Sequence, residues 1–368
     1  MQDCFKTTPI VYCVKDSYVI TVPVTRATVM WVSVDGECRY DDACGVLRSD
    51  VSLHKMTVPK ALLDGAGKYT VCWRYVEERK PYFPKVSQVY CAEFEFCPAS
   101  GERVNVYQIA DAHGDVVNTV AAAKRFESEH GKIDLLVLNG DIVDHSGSVE
   151  NFDAIHKISA EISGGRIPVV CTRGNHDLRG ICAEKLTDYI PTHNGKTYYT
   201  FRQGNVWGLV LDCAEDKSDD HAEYGFCNCC SAYRREQTEF LKSVIENADR
   251  EYAESGVKYR LVIAHNPFTM KFPEPFNIEE ELYAEWVDLL NKNVKPTLLL
   301  SGHKHYAKVI DPGDADDGYG QSFPTVIGSV KDHKTGYFAG CGLVLDREQV
   351  SVVVTDREKT VSCHELNM

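Results

Sequence analysis

The chain has 368 residues, enough for about two domains that each bury a core of their own. Apolar residues make up 43% and charged residues 26%, ordinary values for a globular protein, and no apolar run reaches the ~18 residues of a membrane span. A formal charge of −14 argues against a broad nucleic-acid surface, where basic stripes are expected.

The opening stretch MQDCFKTTPIVYCVKDSY scatters acids and lysines and holds no apolar core of signal-peptide length, so nothing in it marks export. Residues 1–98 read as all-β. ATVMWVSV, SLHKMTV, GKYTVCWRYV and VSQVYCAEFEF alternate apolar and polar positions, and DGE, DDACG, LLDGAG and FPK supply turns between them. This spacing predicts a small β-sandwich with a structural role and with Trp31 and Trp73 in its core. The stretch CPASGE, residues 97–102, reads as the linker to a second domain over 102–368.

Beyond the linker, strands alternate with helices. Apolar residues at helical spacing in VVNTVAAAKRFESE, SVENFDAIHKISAEI, AYRREQTEFLKSVIENADREYAE and IEEELYAEWVDLLNKN predict helices. KTYYTFRQGNVWGLVLDC reads as a hairpin turning at Gly204-Asn205. After His305 the chain returns to strands in YAKVI, SFPTVIGSV, YFAGCGLVLD and QVSVVVTD. Two packed sheets flanked by helices fit this order.

Fifteen cysteines, an odd number, fall mostly in strand-like runs, among them Cys72, Cys91, Cys171 and Cys213. Buried free thiols in a reducing cytoplasm are expected rather than a disulfide framework. Cys227, Cys229 and Cys230 cluster in an expected loop, but they lack the ligand gaps of structural zinc sites, so local packing is the reading for them.

Five polar motifs each follow an apolar, β-branched run. Asp111-Ala112-His113 follows VNVYQIA, Gly140-Asp141 follows IDLLVLN, and Gly174-Asn175-His176-Asp177 follows IPVVCTR. His265 follows RLVIA, and Gly302-His303-Lys304-His305 follows PTLLLS. Strand ends on one edge of a sheet are where α/β proteins gather chemistry. Taken singly, Asp111 or Asp177 reads as a helix cap, Asn175 as a turn residue and His265 as a packed histidine. Taken together, carboxylates, imidazoles and an amide form a donor set for two divalent metals.

The ordered set resembles the D-x-H, G-D, G-N-H-D, H, G-H-x-H pattern of calcineurin-like metallophosphoesterases across about residues 102 to 346. The resemblance implies a four-layer αββα sandwich. It also implies that the first domain is similar to the fibronectin- or immunoglobulin-like domain of purple-acid-phosphatase-like members. It implies hydrolysis of a small phosphate mono- or diester by a metal-bridging hydroxide. By the family's pattern one metal takes Asp111, His113, Asp141 and His305, and the other takes Asp141, Asn175, His265 and His303. Asp141 bridges them. His176, with no metal assigned, is the expected general acid, held in orientation by Asp177. His145 and Arg179 are further candidates for the substrate phosphate. Purple acid phosphatases place a tyrosine ligand where this chain has Asp144, so Mn²⁺, Fe²⁺ or Zn²⁺ pairs are expected in place of a ferric centre. The segments 216–233 and 268–276 are expected to shape substrate choice. A competing reading is a non-catalytic binding module on the same fold. Retention of every ligand position weighs against it.

Overall fold

Strand Leu135–Asn139 shows how the central layers arise. Leu135 and Val137 enter one core and Leu136 and Leu138 another, because successive side chains of a strand leave opposite faces. The computed structural model describes residues 3–347 and 349–366. In it this strand runs parallel to Arg103–Ile109 and Pro168–Thr172 inside a ten-stranded mixed sheet. A six-stranded sheet places Val206–Val210, Tyr259–Ile263, Leu298–Ser301 and Thr325–Gly328 in parallel. Leu261, Ile263, Leu298 and Leu300 of this second sheet share a core with Val106, Val137 and Val170 of the first.

Helices cover the two outer faces. Val116–His130 and Asp153–Ser163 set Phe126, Ile155 and Ile158 against Ile109, Leu136 and Leu138. Cys230–Glu246 and Glu280–Leu289 set Leu241 and Trp286 against Leu209 and Val262. The result is a mixed α/β fold in which two sheets pack between two helical layers. Among the described residues no helix is long and apolar enough to cross a membrane.

The first segment is built almost wholly of strands. Tyr90–Glu95, Lys68–Glu78, Thr28–Val34 and Glu37–Tyr40 form an antiparallel sheet. Two strands that the alternation did not mark, Ile10–Val14 and Ser17–Pro23, join Leu53–Pro59 to extend the ten-stranded sheet instead. Ile10–Val14 pairs in parallel with Pro168–Thr172. Tyr18, Met30 and Trp73 therefore lie in the same core as Phe201 and Leu261.

Three local expectations change. LLDGAG is not a plain turn but the end of helix Lys60–Ala66, which stops where Gly67 turns left-handed at φ 63. Trp73 is buried, whereas Trp31 leaves the opposite face to Met30 and Val32 and stays half-buried near Tyr40. Cys72 and Cys91, expected as free thiols, stand directly opposite on neighbouring strands and form a disulfide. Cys171 and Cys213 are free and buried, and burial raises both thiols above their ordinary range.

Expressed alone, residues 102–368 would expose the edge of Pro168–Thr172 and the apolar face now covered by Tyr18 and Trp73. Such a fragment is expected to aggregate or bind a hydrophobic dye strongly. A monodisperse fragment with a sharp thermal transition would show that the shared sheet is dispensable.

Candidate metal centre

All five motifs follow the C-terminal ends of strands, three in the first sheet and two in the second. Buried amides tie the sheets together just beneath them. Gln108 Nε2 donates to the Ser301 carbonyl at 2.8 Å, and Asn139 Nδ2 donates to the Leu300 carbonyl at 3.1 Å. The chain then turns sharply at each motif. Asp111, His113, Asp141, His303 and His305 all adopt positive φ, between 45° and 69°. For residues with a Cβ this conformation costs about 1–2 kcal/mol each, so the surrounding packing must impose it. Gly140 shows how tight that packing is, since a Cβ there would lie 2.6 Å from both the Gly174 nitrogen and the His265 ring.

The side chains that emerge converge on one point. His265 Nε2 lies 3.2 Å from Asp141 Oδ2 and 3.7 Å from Asp111 Oδ1. His305 Nε2 lies 3.4 Å from Asp111 Oδ1 and 3.2 Å from His113 Nε2. His303 Nδ1 is 3.0 Å from Asn175 Oδ1. Metal–donor bonds of about 2.1 Å put neighbouring donors about 3.0–3.4 Å apart, so these spacings suit the edges of coordination polyhedra. Two groups of converging donors, Asp111–His113–Asp141 and Asp141–His265–His303, have Asp141 in common.

The tautomer of His265 argues the same way. Its Nδ1 lies 2.7 Å from the Asn139 carbonyl, which only accepts, so Nδ1 carries the hydrogen. Nε2 is then buried without a hydrogen-bond partner and faces two carboxylates. A lone pair in that position needs a cation. Burial opposes a charge on the ring, but the Asp141 and Asp111 carboxylates outweigh it and raise His265 to about 10. Burial instead lowers His113 and His303 to about 4, leaving both rings neutral and ready to donate. The residues present therefore fit a pair of divalent ions.

His176 stands at the rim of this cluster. Its backbone N–H donates to Asp141 Oδ1 at 2.8 Å, its ring Nδ1 lies 2.9 Å from the Asp144 carbonyl, and its ring packs edge-on against His113. The expected bond from Asp177 to the His176 ring is not made. The Asp177 carboxylate accepts instead from the backbone nitrogens of Asp141 at 2.9 Å and Gly174 at 2.8 Å, fastening two motif loops together. Burial and the Asp141 charge push Asp177 up to about 7.

The two candidate phosphate contacts do not join the cluster. His145 is exposed, and its Nδ1 accepts from the Gly147 nitrogen. Arg179 is held by Glu215 at 3.0 Å, Glu223 at 3.1 Å and Asp216 at 3.3 Å. Three further neighbours lie against the centre: Ser329, His333, to which the sequence assigns no role, and Asp216, which opens the segment expected to shape substrate choice. Ser329 donates its hydroxyl to Asp111, Asp216 Oδ2 lies 3.8 Å from His303 Nε2, and His333 packs against His113 and His305. Asp144, read only as a departure from a tyrosine, places Oδ1 3.4 Å from His113 Nδ1.

This fold, with its carboxylate and imidazole donors at strand ends, defines a metallophosphoesterase. The chain belongs to the calcineurin-like phosphoesterase family, whose model matches residues 104–307, and is a hydrolase acting on phosphoric esters. No curated protein sequence matches it. Among solved structures it is similar to a purple acid phosphatase from yellow lupin (Lupinus luteus), with 14% identity and a TM-score of 0.60 over 97% of this chain and 73% of that one. It is also similar to PhoD, with 13% identity and a TM-score of 0.54 over 99% of this chain and 89% of that one. At such identities these likenesses describe the fold.

Asp177→Ala would leave two buried N–H groups unpaired, each costing about 1–3 kcal/mol. The variant is expected to unfold at lower temperature and to bind metal more weakly. Normal stability and normal metal uptake would show that other contacts hold the loops.

Proposed function

We propose that the chain hydrolyses small phosphate esters using two divalent ions held across Asp141, and that diesters are its preferred class. The sharing of Asp141 by two donor groups carries the first part. One ion would rest on Asp111, His113, Asp141 and His305, the other on Asp141, Asn175, His265 and His303. Mn²⁺, Fe²⁺ or Zn²⁺ suit this mixture of imidazole and carboxylate. Bound ions of this kind neutralise phosphoryl oxygens and make hydroxide available near neutral pH.

The protein's own groups supply position and a proton. With Nδ1 donating to the Asp144 carbonyl, a His176 imidazolium would present its Nε2–H to the leaving oxygen. The backbone bond from His176 to Asp141 holds that ring beside the ions without using it as a ligand. An intact donor set with a free imidazole supports an enzyme over a scaffold.

The preference for diesters rests on charge. Arg179 is surrounded by Glu215, Asp216 and Glu223, and Lys217 by Asp216 and Glu223. A monoester dianion gains from extra cationic contacts, and these side chains are already engaged. A diester carries one negative charge fewer.

Reconstituted protein is expected to hold close to two equivalents of metal, and Asp141→Asn to lose at least one. A single equivalent retained equally by Asp141→Asn would remove the two-ion reading. His176→Ala should keep both ions while losing about 10²–10⁴-fold in rate, most severely with poor leaving groups. Rescue of that variant by added metal would assign His176 to binding instead. Bis-p-nitrophenyl phosphate should show the higher kcat/KM against p-nitrophenyl phosphate, and the opposite order would overturn the diester preference.

A further inference from the structure

His333 lies outside all five motifs, on the turn between Val330–Asp332 and Tyr337–Asp346. Its ring centroid stands 4.7 Å from that of His113 and 5.2 Å from that of His305. One ring nitrogen from each of the three histidines lies within 4.8 Å of the other two. His113 and His305 already oppose their Nε2 atoms at 3.2 Å. An exposed histidine on a turn ordinarily reaches into water. This one gathers with two further imidazoles, an arrangement that repels if the rings are charged and that a shared cation holds together.

The turn is held in place. The Asp332 carboxylate accepts from the Lys334 nitrogen at 2.9 Å and the Thr335 hydroxyl at 2.8 Å, and the Gly336 nitrogen closes onto the Asp332 carbonyl at 2.9 Å. The hairpin is also tied to both loops that carry the neighbouring histidines. Lys331 Nζ reaches Asp115 at 2.9 Å, and Asn118 Nδ2 donates to the Gly336 carbonyl at 3.2 Å, beside the first motif. The Lys331 nitrogen lies 3.4 Å from the His305 carbonyl in the last motif. His333 is thus presented to the cluster by a braced hairpin.

We propose that His333 is a third imidazole donor to the ion held by Asp111, His113, Asp141 and His305, an inference that rests on the two-ion reading. A third imidazole shifts that site toward borderline ions such as Zn²⁺, Fe²⁺ and Co²⁺ and away from Mn²⁺ and Mg²⁺. The two sites would then differ in softness. The imidazole-rich ion would be the one beside His176, whose ring packs on His113.

The test compares the full-length wild-type chain with His333→Ala, in which an exposed side chain is removed from a turn that Asp332 holds independently. Each is titrated with Co²⁺, following visible absorption and bound equivalents, and then challenged with Zn²⁺ and Mn²⁺. Loss of a group that supports a metal typically weakens binding about 10–100-fold. His333→Ala should weaken one of two sites by at least about tenfold, alter its Co²⁺ spectrum, and narrow its preference for Zn²⁺ over Mn²⁺. Free imidazole should partly restore the spectrum. His265→Ala, on the second group, should weaken the other site. If wild type binds two ions and His333→Ala matches it in spectrum and affinity while raising KM, His333 contacts the ester and the inference fails alone. If wild type binds one ion, the two-ion reading fails. An altered spectrum of that single ion in His333→Ala then still supports His333 as a donor, and an unaltered one overturns it.

Discussion

Two carboxylates withdrawn from water set the terms for everything around them. Asp111 and Asp141 are 0% and 1% exposed, and burial alone would drive both toward the neutral form. Neighbouring imidazoles reverse this, holding the Asp141 carboxyl well below its ordinary range, with His265 the largest contributor. Backbone and hydroxyl donors then fix where each oxygen points. His303 N–H and the Ser329 hydroxyl reach Asp111, and His176 N–H reaches Asp141. The positive φ angles at five motif residues are the backbone consequence of aiming so many groups at one small volume.

The same demand explains why the two sheets are joined so firmly. Asp111, Asp141 and Asn175 come from the ten-stranded sheet, and His265, His303 and His305 from the six-stranded one. Gln108 and Asn139, both fully buried, bond across the gap within a few residues of the converging side chains. A slip between the sheets would have to break those amide bonds. The first segment contributes to this rigidity, because Ile10–Val14 braces Pro168–Thr172, the strand that leads to Asn175. Its β-structure is therefore continuous with the scaffold of the metal centre.

The convergence of these carboxylates and imidazoles was legible in the sequence because each sits at fixed spacing from an apolar run, and the rise from strand to loop is written in local residue types. The helices were legible for the same reason. Ile10–Val14 was not, since like Leu135–Asn139 it is buried on both faces and shows no alternation, but no polar motif follows it to mark its end. Helix Lys60–Ala66 hid behind glycines that resemble a turn, and the disulfide depended on a strand register that spacing does not fix. Asp177 was placed near His176 by adjacency in the chain, yet its carboxylate folds back to the backbone of Gly174 and Asp141. His333 and Asp216 carried no motif at all. The register of a hairpin brings one to the centre, and the course of an insert brings the other.

Charge outside the centre completes the physical picture. The chain carries −14, and the wall beside His303 adds Glu215, Asp216 and Glu223, whose charges Arg179 and Lys217 only partly offset. Such a field repels a phosphate ester and attracts divalent cations, so it favours loading of the metal site before substrate. In the proposed two-ion arrangement, four positive charges would exceed the two carboxylates that face them, turning the local potential positive within a negative surround.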